Sequence, residues 1–161
     1  MSTRRRSGEM EEKMKITYKY SNEINEGEVI YRKNENSFDF ISNKRGDISI
    51  LIGYLQLSID SLTNQLVSVW GLHPFCNWID EKLVVPQTIN GIVELENDYD
   101  SGISYREKEF NEWKTYYDNK NGWVCIGDKN VKGVSIMFAS DIFVVIDNNN
   151  LKSLWIKPNF Q

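Results

Sequence analysis

The sequence predicts a mostly β protein: one domain, an antiparallel β-sandwich or open barrel built of hairpins, with at most one or two short helices. Three observations carry this expectation. The 161 residues include a single alanine, Ala139, against 17 Ile, 11 Val and 5 Thr. Alanine is the best helix former, whereas β-branched side chains lose freedom in a helix and pack well on a pleated surface. Five Trp, eight Tyr and seven Phe add to the same bias. Finally, apolar residues recur with period two, in runs separated by turns rich in Asn, Asp and Gly.

Residues 1–13 stand apart. They hold no hydrophobic residue except Met, and read as a disordered tail or a vector-derived extension. Arg4, Arg5 and Arg6 imitate the start of an export signal, but Ser7-Gly8-Glu9 follows where an apolar run belongs. A single β-rich domain over 14–161 is expected after it.

From residue 15 the alternation puts Ile16, Tyr18 and Tyr20 on one strand face, with a second strand at 28–32 and a third at 38–41. Leu55, Leu57 and Ile59 share a face opposite Tyr54, Gln56 and Ser58, and a five-residue loop over 60–64 returns the chain into 66–72. Ser104-x-x-Glu107 has the spacing of a helix capping box, so one helical turn or loop is expected before a strand starting near Trp113. The last third reads as a meander of strands at 113–117, 123–126, 134–138, 142–146 and 151–157. The strand at 142–146 is apolar on both faces, which places it centrally, and Pro158 ends pairing. Asp60, Asp118 and Asp147 each follow a strand and precede Asn, Ser or Lys. There a carboxylate can accept amides two residues on and start the reversal.

Charge and residue inventory exclude several function classes. With 19 basic against 23 acidic residues the net charge is −4, the wrong sign for a dedicated nucleic-acid binder. The longest apolar run, 142–146, is far too short to cross a bilayer as a helix. Two cysteines, Cys76 and Cys125, with no export signal, predict free thiols in a cytoplasmic protein. The sole histidine, His73, lies near Cys76, but a nucleophile pair needs an orienting third group and a zinc site needs more ligands. A structural His beside a turn is the expected reading. Glu96, Asp98, Asp100 and Glu107 fall at positions 1, 3, 5 and 12 of a calcium loop, with Ile103 at 8. Ser101 stands where that loop requires Gly, and a strand rather than a helix precedes it, so a solvated acidic loop is expected. No catalytic residue, metal or cofactor is assigned.

The charge distribution is more informative than any motif. Between 89 and 118 lie Glu94, Glu96, Asp98, Asp100, Glu107, Glu109, Glu112 and Asp118, against Arg106, Lys108 and Lys114. Interleaved Tyr99, Tyr105, Phe110 and Trp113 would supply aromatic anchors for a basic partner.

The runs Gly53-Tyr54-Leu55-Gln56-Leu57-Ser58-Ile59, Leu66-Val67-Ser68-Val69-Trp70-Gly71 and Asn77-Trp78 form the first part of a pattern. Trp113-Lys114-Thr115-Tyr116-Tyr117-Asp118 and Gly122-Trp123-Val124-Cys125-Ile126-Gly127 continue it. Together, over about residues 48–157, these runs resemble small bacterial immunity proteins of polymorphic and contact-dependent toxin systems. The resemblance implies a non-enzymatic cytoplasmic protein that binds and masks a cognate toxin domain, and it assigns no residue by position. Many toxin domains are nucleases, whose phosphate-binding grooves are basic. Asp98, Asp100, Glu107, Glu109 and Trp113 are therefore the expected partner-binding residues. Reversing the four carboxylates to Lys is expected to weaken binding while the fold survives. The alternatives are a β-sandwich or barrel binding a carbohydrate or apolar small ligand, and an enzyme with dispersed carboxylates.

Overall fold

The computed structural model describes residues 13–130 and 132–161, together with the backbone of Arg4–Arg5 and Gly8–Glu9. Of the N-terminal tail expected over 1–13, the rest lies outside the described residues.

One long sheet curls into an open half-barrel, as the composition predicts. Its first half is the meander Ile48–Ile52, Leu55–Asp60 and Gln65–Leu72; its second half joins Val134–Ala139, Ile142–Asp147, Asn150–Ile156, Val124–Gly127 and Thr115–Tyr117. Ile89–Leu95 links the halves, pairing with Gln65–Leu72 at Glu94 and in parallel with Val134–Ala139 at Ile89 and Asn90. It also carries Ile16–Tyr20 as an antiparallel neighbour. A side branch runs from Gln65–Leu72 through Ser37–Ile41 and Glu28–Arg32 to Asn159–Phe160. Hairpins account for many of the antiparallel pairs, while others, such as Ile16–Tyr20 with Ile89–Leu95 and Val124–Gly127 with Asn150–Ile156, join strands distant in sequence. Parallel pairing arises where strands distant in sequence meet, including Ser104–Arg106 beside Ile48–Ile52.

The expected alternation decides which side chains are buried. Leu55, Leu57 and Ile59 are fully buried in the main core, where Ile48, Ile50 and Ile52 from the paired strand join them. Ile142–Asp147 is sandwiched on both faces, which is why it has no polar side. Ile142, Val144 and Ile146 enter the main core, while Phe143 and Val145 enter a second cluster with Cys125, Trp155 and Leu83. Phe143 stacks on Trp155 at 5.4 Å. Leu83 and Val85 come from the segment 79–88, which therefore covers the outer face of this half-sheet.

Two of the three expected Asp turns form. Asp60 Oδ1 accepts the Leu62 amide at 2.9 Å, and Asp118 Oδ1 accepts the Lys120 amide at 2.9 Å. At Asp147 the reversal is made instead by Asn148 and Asn149, with φ of 50° and 62°. Two successive left-handed residues match the twist of a two-residue hairpin, and Asp147 simply pairs with Asn150. The capping box is also overturned. Ser104 lies in the ladder opposite Ser49, and the single turn Lys108–Asn111 starts from Glu107 without a side-chain cap. Pro158 interrupts pairing only briefly, since Asn159–Phe160 pairs with Glu28–Arg32.

Candidate partner-binding site

The acidic stretch 94–112 packs around two tyrosines. Tyr99 and Tyr105 are buried with ring centroids 4.6 Å apart, and the Asp100 amide donates to the Tyr105 hydroxyl at 2.9 Å. This fixes 98–100 against Ser104–Arg106. The intervening turn is held by Asp47, whose Oδ2 accepts the Ser101 hydroxyl at 2.7 Å and whose backbone carbonyl accepts the Gly102 amide at 2.6 Å. Hydrogen bonds from the Ser61 hydroxyl and amide and the Ser101 hydroxyl hold the Asp47 carboxyl below its usual range. The outline of a calcium loop is thus folded around a protein carboxylate. Among the described residues no group of three His, Cys, Asp or Glu side chains is placed to hold a metal ion.

Residues 13–15 thread between the two acidic segments. The Met14 amide donates to Glu107 Oε2 at 3.3 Å, and Lys13 pairs with Glu109 at 3.4 Å. On the other flank the Lys15 amide donates to Asn97 Oδ1 at 2.9 Å, and the Glu96 amide to the Lys15 carbonyl at 2.9 Å. Glu107 is half-buried. Burial, reinforced by the nearby Glu109 carboxylate, pushes its pKa up to about 7.

Four of the five expected residues therefore gather here: Asp98 and Asp100 beside the tyrosines, Glu107 and Glu109 beside Lys13 and Met14. Trp113 does something else. Its ring is partly buried on Phe110 at 4.5 Å, and an atom of it would lie 3.1 Å from a Cβ added at Gly127. Tyr99, Tyr105 and Phe110 belong to the main core and are not exposed anchors. Asp118 is drawn away entirely: its Oδ2 accepts the Leu83 amide at 2.9 Å and holds the covering segment.

His73 sits in an aromatic cluster. Its Nε2 lies 2.7 Å from Thr115 Oγ1, with Phe38 and Trp78 rings at 6.0 and 5.8 Å. Burial holds its pKa down at about 4, so the imidazole is neutral at pH 7. The Tyr31 hydroxyl donates to the His73 carbonyl at 2.7 Å, and burial pushes its pKa up to about 12. Cys76 is exposed; Cys125 is fully buried, which pushes its thiol pKa up.

One feature escaped the sequence reading. The loop 42–47 crosses the outer face of the first half-sheet, with Lys44 and Arg45 bordering a cleft on each flank. One cleft, about 310 Å³, is floored by Ser58 and Ser68 and walled by Trp70, which is 45% exposed. The signal was Gly46: a Cβ there would meet the Ile59 amide nitrogen at 2.6 Å, so only glycine lets the loop lie this close.

Among the described residues no helix is long and apolar enough to cross a membrane. No protein-family model matches the chain, and no curated protein matches it.

Proposed function

We propose that this chain is a non-enzymatic binding protein of the cytoplasm that engages and masks a basic protein domain, in the manner of bacterial immunity proteins. The observation that carries the reading is that Glu107 and Glu109 lie against Lys13 and Met14 while Asp98 and Asp100 flank the buried Tyr99 of the same acidic stretch, whose Asp100 amide is tied to Tyr105. Fixed carboxylates of one sign raise association rates with a basic partner and select against acidic ones. Burial of Tyr99, Tyr105 and Phe110 supports rigidity, because the acidic segment cannot shift without exposing core. Rim charges govern on-rate and salt dependence more than final affinity, so association should slow steeply with added salt.

The test is binding to the toxin-domain product of the adjacent gene, measured by titration calorimetry and stopped flow. A stable complex is expected, weakened at least tenfold by Asp98→Lys with Asp100→Lys at unchanged melting temperature. Glu107 is left intact because it is half-buried and holds Met14. Failure of that product to bind would overturn the reading.

The Trp70 cleft favours a second reading, a small carbohydrate ligand. An exposed indole offers a stacking face, and Ser58, Ser68 and Lys44 offer hydrogen-bonding groups beside it. Quenching of Trp70 fluorescence by mono- and oligosaccharides, lost in Trp70→Phe, would support it.

A further inference from the structure

The loop 42–47 holds two cations without counter-ions. Lys44 and Arg45 are exposed, and among the described residues neither side chain has an ion pair or a hydrogen bond. Of the two clefts they border, one has Glu23 and Asp60 in its lining, carboxylates that would repel an anion. The Trp70 cleft has a single carboxylate, Asp39, and the Arg32 guanidinium pairs with it at 3.0 Å. The charge of Lys44 and Arg45 is therefore uncompensated on the Trp70 side.

The floor of that cleft carries hydroxyls that the sheet does not use. Ser58 and Ser68 oppose each other across adjacent strands, and Trp70 follows Ser68 by two positions on the same face. Both serines are more than nine-tenths buried, at 3% and 7% exposure. Neither hydroxyl has a hydrogen-bond partner among the described residues. Buried hydroxyls are normally paired, because an unpaired one forfeits its hydration without return. The Ser58 hydroxyl is directed at the loop above it, since a Cβ added at Gly46 would collide with its oxygen. Cβ atoms of directly opposed residues lie about 4.5–5.5 Å apart, a spacing that hydroxyls of one sugar ring can bridge.

We infer that the Trp70 cleft binds an acidic sugar. One ring stacks its C–H face on the Trp70 indole, sets its hydroxyls on Ser58 and Ser68, and directs a carboxylate or phosphate to Lys44 and Arg45. A volume of about 310 Å³ is at the small end of ligand sites and suits a single ring. This rests on the carbohydrate reading of the cleft, and it names the class of sugar. It does not depend on the acidic partner-binding face.

The experiment titrates the full isotope-labelled chain with glucuronate, glucose and inorganic phosphate, followed by NMR at the Trp70 indole and the amides of 44–46. Glucuronate is expected to bind about tenfold more tightly than glucose, which has the same ring without the carboxylate, because its hydrogen bonds to the two cations are charge-assisted. It is also expected to bind more tightly than phosphate, which has the charge without the ring. Lys44→Gln with Arg45→Gln is expected to reduce glucuronate to the affinity of glucose and to leave glucose binding unchanged. Both positions are exposed, so this variant keeps the parent melting temperature. Ser58→Ala with Ser68→Ala is expected to weaken both sugars alike. If glucose and glucuronate bind equally, the carbohydrate reading stands and the acidic-sugar assignment falls. Phosphate binding as tight as that of glucuronate overturns recognition of the ring. If neither sugar binds, the assignment and the carbohydrate reading fall together.

Discussion

The amide of Met14 donates to Glu107 Oε2 at 3.3 Å, joining two residues 93 positions apart in the chain. Burial of this carboxyl, with the Glu109 carboxylate beside it, outweighs that hydrogen bond and pushes its pKa from the ordinary 4.5 up to about 7. Between those two values the folded state binds more protons than the unfolded chain. The contribution to stability is full below pH 4.5 and is lost as pH rises through about 7. Glu107→Gln is therefore expected to raise the melting temperature at pH 8 and to leave it nearly unchanged at pH 4. Thermal melts followed by circular dichroism across this range check it, and a variant less stable than the parent at pH 8 contradicts it.

His73 acts over the same window with the opposite sign. Its pKa falls from 6.5 to about 4 on folding, so its contribution is full above pH 6.5 and is lost as pH falls through about 4. His73→Gln is expected to leave a protein whose stability only declines between pH 4.5 and 7, because Glu107 then acts alone. A midpoint near 6.5 in the NMR titration of the His73 ring would contradict this.

How much of this was legible in the chain differs from residue to residue. Strand faces were legible wherever burial alone decides them, as at Leu55, Leu57 and Ile59. The double-sided run 142–146 announced its central place because both its neighbours, the main core and the Trp155 cluster, demand apolar side chains. Local hydrogen bonds were legible too, as at Asp60 and at the first oxygen of Asp118. The second oxygen of Asp118 was not, because Leu83 lies 35 residues away. The same holds at the candidate site. Tyr99 and Tyr105 carry no periodic signal of being core; they are buried because Ser104–Arg106 joins Ile48–Ile52 in parallel, a pairing no local pattern encodes.

Asp118 clamps the covering segment with both oxygens. Amides of Leu83 and Lys120 hold its carboxyl below the usual range, so its contribution is present above the ordinary value and is lost as pH falls through the lowered one. Asp118→Ala is expected to lower the melting temperature and to speed hydrogen exchange across 79–88, with Asp118→Asn intermediate. Unchanged exchange in that segment would refute the clamp.

Two glycines separate close approach from backbone strain. At Gly46 an added Cβ would lie 2.6 Å and 2.7 Å from the Ile59 amide nitrogen and carbonyl oxygen, atoms that cannot move without breaking the ladder. Gly46→Ala is expected to cost about 3 kcal/mol, the upper end for an overpacked site, and to shift Trp70 emission as the loop lifts. At Gly53 there is open space but φ is +62°, so Gly53→Ala should cost about 1–2 kcal/mol and leave Trp70 emission alone. Urea denaturation monitored by fluorescence distinguishes the two.

Asn159 pairs with Ile30 and Phe160 with Tyr31, and the Gln161 carbonyl accepts the Lys33 amide at 3.0 Å. During synthesis on the ribosome the Glu28–Arg32 strand must therefore wait, half-paired, until residues 159–161, some 130 positions on, have emerged. Such late closure slows folding and leaves an adhesive ribbon exposed to neighbours in the meantime. A fusion joined directly after residue 161 would crowd this last-formed ladder, and the yield of soluble protein would register it first.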